Sequence, residues 1–304
     1  MKTPRRQTGF TLAELAIVLL IIGLILSASL IPVGRMFQQS QINATQERLD
    51  AAREALLSFA TINSRLPCPD RTGDGLEDQR ADVDPAAWGC ANNIYEGFLP
   101  WATLGVQQGD YWGIRFRYRV SAEFTRAGNN NKWICGPVGG QSLAGTAAPG
   151  CTPALNGSLP PGCVSSLNNP NSCTFEIGDN GDIGIREGQL PGSATIMNPL
   201  TGAGAVAVVL SHGGNGLGGT ATDGAVRALP AASTDEALNA PALATISTGP
   251  RLPAAPFIIR TPTEASGGCA DNGGTVLCTF DDQLVFIGAN TLISRLAQAG
   301  VRLQ

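Results

Sequence analysis

From Phe10 to Val33 the chain is apolar at nearly every position, with Glu14 as its one charge. About 20 predominantly apolar residues suffice to span a bilayer, so this run is long enough for a membrane helix. Beyond it the pattern changes rather than stops. Ile42, Thr45, Leu49, Ala52, Leu56 and Phe59 recur at three- and four-residue spacing, while Gln46, Glu47, Asp50, Arg53 and Glu54 occupy the other side. This periodicity predicts an amphipathic helix continuing to about Ala60. Arg65-Leu66-Pro67 ends it, and Pro32 and Gly34 are expected to kink or loosen it where the two patterns meet.

Past Pro67 the period shortens. Ile114, Phe116, Tyr118 and Val120 alternate with Arg115, Arg117 and Arg119, which predicts a half-buried strand with a basic outer face. Thr174–Ile185, Ala205–Leu210 and Leu284–Ile287 read as further strands, and Ala289–Leu303 reads as a terminal helix. Gly136 to Cys173 is rich in Gly, Pro, Asn and Cys and reads as a disulfide-tied insertion. Thr220 to Gly249, with little periodicity, reads as an exposed loop, and Asp179-Asn180-Gly181-Asp182 as a hairpin turn. With 38 Gly, 20 Pro and only 14% charged residues, the body is loop-rich and strand-containing.

Charge and cysteine content narrow the compartment. The chain holds 20 Lys+Arg against 24 Asp+Glu, and Lys2, Arg5 and Arg6 precede the apolar run, so the rest is more acidic still. There is no clear nucleic-acid signal in such a balance. Basic residues before an apolar span put the N-terminus in the cytoplasm and the bulk outside. Ala28-Ser29-Leu30 offers an ordinary signal-cleavage position, and an uncleaved anchor is the alternative. All eight cysteines, Cys68, Cys90, Cys135, Cys151, Cys163, Cys173, Cys269 and Cys278, lie beyond the apolar run, which points to disulfides in an oxidising compartment. With no C-x-x-C pair and a single histidine, His212, zinc is disfavoured. Eight cysteines allow about a hundred pairings, and sequence alone does not choose among them. Cys269 and Cys278 bracket the turn-prone Asp271–Gly274, and Cys68 with Cys90 and Cys163 with Cys173 are neighbours along the chain.

Two loops have the oxygen content that calcium needs. Asp70, Thr72, Asp74 and Asp78 occupy positions one, three, five and nine of an EF-type loop, with Gly75 at six. Position twelve is Ala81, with Asp82 or Asp84 as substitutes, so a calcium loop and a solvated acidic turn both fit. The stretch Ser211 to Asp223 is the second candidate, against a Gly-rich turn. Ser211-His212-Gly213-Gly214 lacks the G-x-S-x-G of a nucleophile elbow, and adjacent Ser and His are poorly placed for a triad. No residue pattern supports catalysis.

Glu14 is the remaining anomaly. An acid in a membrane helix is costly and carries a functional reading by default. Arg5-Arg6-Gln7-Thr8-Gly9-Phe10-Thr11-Leu12-Ala13-Glu14 resembles the N-terminus of the type IV pilin and type II secretion pseudopilin superfamily. The resemblance implies cleavage between Gly9 and Phe10 by a membrane prepilin peptidase, N-methylation of Phe10, and pairing of Glu14 with the Phe10 amine of a neighbouring subunit. It implies an α+β fold: a long N-terminal helix packed on an antiparallel sheet, here with large disulfide-tied loop insertions. The expected parts are a leader at 1–9, a transmembrane or filament-core helix half at 10–34, an amphipathic half at 35–64 and a globular head at 65–304. The implied partners are other pilin or pseudopilin subunits, an inner-membrane assembly platform and the membrane itself. The implied location is the bacterial inner membrane, head in the periplasm, and then a filament in the periplasm or at the cell surface.

Asp110-Tyr111-Trp112-Gly113 is similar to the Asp-Pro-Trp-Gly turn of major pseudopilins, and Ser211 to Gly219 to their calcium-binding loop, with Asn215 in place of an acid. The expected role is a minor pilin or pseudopilin, with a pilus-associated adhesin or DNA-uptake module as the alternative.

Overall fold

The computed structural model describes residues 11–63, 65–79, 89–125, 136–137, 173–174, 181–190, 192–199, 203–240, 256–264, 269–273 and 276–299, with the backbone alone at 25–35, 93, 123, 136–137 and 173–174. The chain divides into two units, Met1–Ala44 and Thr45–Gln304. Leu12–Asn63 is a single helix, α1. The backbone stays helical through Pro32 and Gly34, the place where a kink or loosening is expected. A proline removes one amide donor, and the turns on either side can hold the helix across that gap.

In the second unit, α1 contributes the predicted seam. Thr45, Leu49, Ala52, Leu56 and Ala60 are fully buried, joined by Leu57, whereas Glu47, Asp50 and Glu54 are exposed. The seam faces a four-stranded antiparallel sheet built from β1 (Glu96–Phe98), β2 (Arg117–Val120), β7 (Ala205–Ser211) and β9 (Gln283–Gly288), in that spatial order. Register is set by pairs such as Gly97 with Tyr118, Tyr118 with Val209, and Val209 with Val285. Leu49, Leu56, Phe116, Tyr118, Val209, Ile287 and, from α4 (Ala289–Gln298), Leu292 and Leu296 form one core. The short helix α2 (Trp101–Leu104) sits between β1 and β2 in the chain.

The opposite face of the sheet is also covered. Ile183, Ile185, Val208, Leu210, Phe257 and Leu284 form a second core. It joins β7 and β9 to a small mixed sheet of β5 (Ile185–Arg186), β6 (Thr195–Met197) and β8 (Phe257–Ile258). A separate pair, β3 (Gly136–Pro137) and β4 (Cys173–Thr174), completes the strands.

This second layer corrects three expectations. Arg117 and Arg119 do not form a solvated basic face; they are 3% and 1% exposed, because β2 has packing on both sides. Arg117 Nε donates to Glu96 Oε1 at 2.7 Å, and Arg119 lies 3.5 Å from Asp182 Oδ2, so the charges are paired as burial requires. Thr220–Gly249 is not simply an exposed loop. It contains α3 (Asp235–Asn239), whose Asp235, Glu236 and Asn239 are buried. Thr174–Ile185 is not one strand: β4 and β5 are short separate elements, and 175–180 lie outside the described residues, as does the first half of the Asp179–Asp182 turn.

Disulfides join Cys68 to Cys90 and Cys269 to Cys278. The first closes the Asp70–Asp78 loop against the core, where both cysteines are buried. Cys135, Cys151 and Cys163, and the side chain of Cys173, lie outside the described residues.

Candidate functional site

At the start of α1, Thr11 and Glu14 form a reciprocal cap. The Thr11 amide and hydroxyl donate to Glu14 Oε2 at 2.9 and 3.0 Å, and the Glu14 amide donates to Thr11 Oγ1 at 3.3 Å. This is the capping-box arrangement, in which an N-cap Thr and a Glu three residues on satisfy amides that have no partner within the helix. Thr11-x-x-Glu14 carries that signature in the sequence. Around this end, Leu12, Leu15 and every residue from Ile17 to Ile22 are exposed, as is Leu24, so the helix is apolar on all sides. A helix of that kind requires an apolar environment. Among the described residues, no helix is long and apolar enough to cross a membrane. Residues 25–35, the second part of the uncharged run, are described by backbone alone, and Gly9 and Phe10 lie outside the described residues.

Farther along, α1 is tied to the turn that follows α2. Arg48 donates to the carbonyls of Gly109 and Asp110 at 3.1 and 2.6 Å, and the Tyr111 amide donates to Thr45 Oγ1 at 3.2 Å. Asp110, 2% exposed, organises this turn from within. Its Oδ1 accepts from the amides of Trp112 and Ile114 at 3.0 and 2.8 Å, and its Oδ2 accepts from Ser211 Oγ at 2.7 Å. The Asp110–Gly113 and Ser211–Gly219 stretches, a hundred residues apart, thus meet in one hydrogen bond. Burial raises the Asp110 carboxyl pKa above its ordinary value against these bonds. Ser211 is occupied by Asp110 and His212 is fully enclosed, so the pair forms no nucleophile–base contact.

The Asp70–Asp78 loop is held by its own backbone. Asp70 is fully buried and accepts from the amides of Gly73 and Gly75 and from Thr72 Oγ1. Asp74 accepts from the Leu76 amide and Asp78 from the Arg71 amide. Arg65 grips Glu77 with two bonds of 2.7 and 2.6 Å. In the second calcium candidate, Asn215 Oδ1 accepts from Leu217 and Asp223 from Ala225, so their oxygens also serve local turns.

A third acidic group escaped the sequence reading. Glu236 on α3 and Asp281 and Asp282 before β9 bring carboxylate oxygens within 4.8 Å of one another. Their only sequence signal is two acidic doublets, Asp235-Glu236 and Asp281-Asp282, 45 residues apart. Asn215 braces the group: its side-chain amide donates to Glu236 at 3.0 Å and its backbone amide to Asp281 Oδ2 at 2.8 Å. Gly213, at φ 58°, permits the approach, because a Cβ there would overlap Asp281. Burial pushes the Glu236 pKa up to about 7 and raises those of Asp281 and Asp282. His212 is driven down to about 3, first by burial and then by Arg117, and is neutral.

Residues 4–30 match the family described as the prokaryotic N-terminal methylation motif. The chain carries the N-terminal signature of type IV pilins and pseudopilins. No curated protein and no solved structure matches the chain. The pilin signature covers the apolar part of α1 and its capped start; the head contributes nothing to it.

Proposed function

We propose that this chain is a structural subunit, a minor pilin or pseudopilin, of a type IV pilus or type II secretion filament. A prepilin peptidase cuts between Gly9 and Phe10 and methylates the new Phe10 amine. The subunit then rests in the inner membrane through its apolar helix half, head outside, until an assembly platform extracts it. In the filament Glu14 pairs with the Phe10 amine of a neighbour. Two buried charges each cost several kcal/mol in desolvation, about the amount that close pairing offsets, so the pair favours one axial register. The match over residues 4–30, a range that includes Gly9, Phe10 and Glu14, supports this reading.

The test is the mass of the mature N-terminus after expression with a prepilin peptidase. A chain beginning at Phe10 with one added methyl is expected, and an intact Met1 or another start refutes the processing step. For assembly, Glu14→Gln should lower incorporation into filaments while the head remains folded. Normal incorporation refutes the pairing.

A further inference from the structure

Several buried acids elsewhere in the head are paired with arginine. Arg260 reaches Asp235 at 2.7 Å and Asp271 at 3.4 Å, and Arg117 reaches Glu96 at 2.7 Å. Glu236, Asp281 and Asp282 differ. None of the ion pairs described above joins them to a lysine or arginine, and Arg117, bound to Glu96, acts on Asp282 through its charge. Asn215 and Asn239 donate to the three, but neither asparagine brings a charge.

The group also leaves polar atoms without partners. Asp281 Oδ1 and Asp282 Oδ1 are buried and accept no hydrogen bond. His212, 1% exposed and outside the acidic group, points an unpartnered Nδ1 at Asp282 Oδ1 from 3.8 Å. Buried polar atoms are nearly always paired, and an orphan of this kind marks a missing ion or water. Three such atoms at one place share one explanation.

We infer that Glu236, Asp281 and Asp282 form a binding site for a hard divalent cation. Carboxylate oxygens suit Ca²⁺, Mn²⁺ or Mg²⁺. At about 2.4 Å per bond, two ligands of one ion lie at most about 4.8 Å apart, and one carboxylate oxygen from each of the three residues lies within 4.8 Å of the others. The cation supplies the missing positive charge and coordinates the two orphaned oxygens. A water on the ion supplies the donor that His212 Nδ1 lacks. The ligands lie on α3 and ahead of β9, so the ion clamps α3 to the central sheet. The Ser211–Gly219 stretch contributes amide donors through Asn215 and the close approach at Gly213, but no ligand.

The test is a thermal unfolding series on the full-length protein in detergent at pH 7.5. The protein is stripped with a chelator and then titrated with Ca²⁺, Mn²⁺ or Mg²⁺, with calorimetry for stoichiometry. A rise of about 5 °C or more in the midpoint with at least one ion, at one ion per chain, is expected. The ion with the largest shift identifies the preferred size. In Glu236→Gln/Asp282→Asn the shift should vanish, while the stripped protein melts no lower than wild type because mutual repulsion has been removed. Asp281→Asn, which retains a carbonyl oxygen for the Asn215 amide, is a second variant should the double one not fold. Asp78→Asn, in the other acidic loop, should keep the full shift. No shift with any of the three ions overturns the site. So does a shift that survives in the double variant or disappears in Asp78→Asn alone.

Discussion

Replacing Asp110 with alanine removes the acceptor on which the turn between α2 and β2 depends. Three donors lose their partner: the Trp112 and Ile114 amides and the Ser211 hydroxyl. An unsatisfied buried donor costs about 1–3 kcal/mol. The Ile114 amide is enclosed and takes the full penalty, whereas half-buried Trp112 and the rotatable hydroxyl of Ser211 fall at the lower end. Relief of the carboxylate's own desolvation returns part of this, leaving a net loss of about 3 kcal/mol. Asp110→Asn is the control. Its carbonyl oxygen keeps the two amides, and its NH₂ meets Ser211 Oγ, which has lone pairs to accept it, so the cost is about 1 kcal/mol. The pH dependence separates charge from shape. The folded pKa of Asp110 is raised, so this group's contribution is full below its ordinary value of 3.8 and is lost as pH rises through the folded pKa. Asparagine has no such slope, and the gap between wild type and Asp110→Asn should therefore narrow from pH 4 to pH 7. Urea unfolding followed by tryptophan fluorescence reads all three quantities. A loss below about 1 kcal/mol for Asp110→Ala, or a gap that widens with pH, would refute the reasoning.

Glu96→Ala removes the carboxylate that Arg117 bonds at 2.7 Å and that Arg119 approaches at 3.9 Å, and should cost about 3–5 kcal/mol in urea unfolding, whereas a solvated pair would cost under about 1. Cys90→Ser opens the 22-residue Cys68 loop and should cost about 3 kcal/mol by chain-entropy reasoning, with protease cutting between 69 and 89 as the readout. Leu56→Ala, fully buried where α1 meets the sheet, should lower stability by about 2–5 kcal/mol, and a loss under about 1 would mean that the seam does not pack as described.

How legible each part was depended on how local its signal was. The α1 seam repeats over enough residues for its period to stand out, β7 and β9 are unbroken apolar runs, and all three lie close to their expected positions. Arg117 and Arg119 misled because alternation reports two faces and not what covers the second one. Around them lie Glu96, Asp182 and the 212–220 stretch, which come from distant parts of the chain. The Glu236 group failed for a related reason: ligands brought together by a five-residue helix and a strand edge leave only acidic doublets in the sequence. The Asp110–Ser211 bond was present in the two stretches singled out by resemblance, but nothing local says that they touch.

Glu14 remains the residue on which fold and function meet. As a charge in an apolar run, it calls for a partner. The cap shows that it has one at home, in Thr11, so the isolated helix is not left with an unanswered acid. The two roles are compatible in geometry. Both bonds from Thr11 end on Oε2, and none of the described hydrogen bonds ends on Oε1. In the assembly proposed above, Glu14 would hold the first turn of its own helix and offer its second oxygen to the Phe10 amine of a neighbour. On that reading Thr11 is a positioning residue for assembly, because it fixes the direction in which the free oxygen faces. Glutamine at position 14 would keep the cap through its carbonyl oxygen and lose the charge. Alanine would lose both, which makes Glu14→Gln the cleaner probe of pairing between subunits.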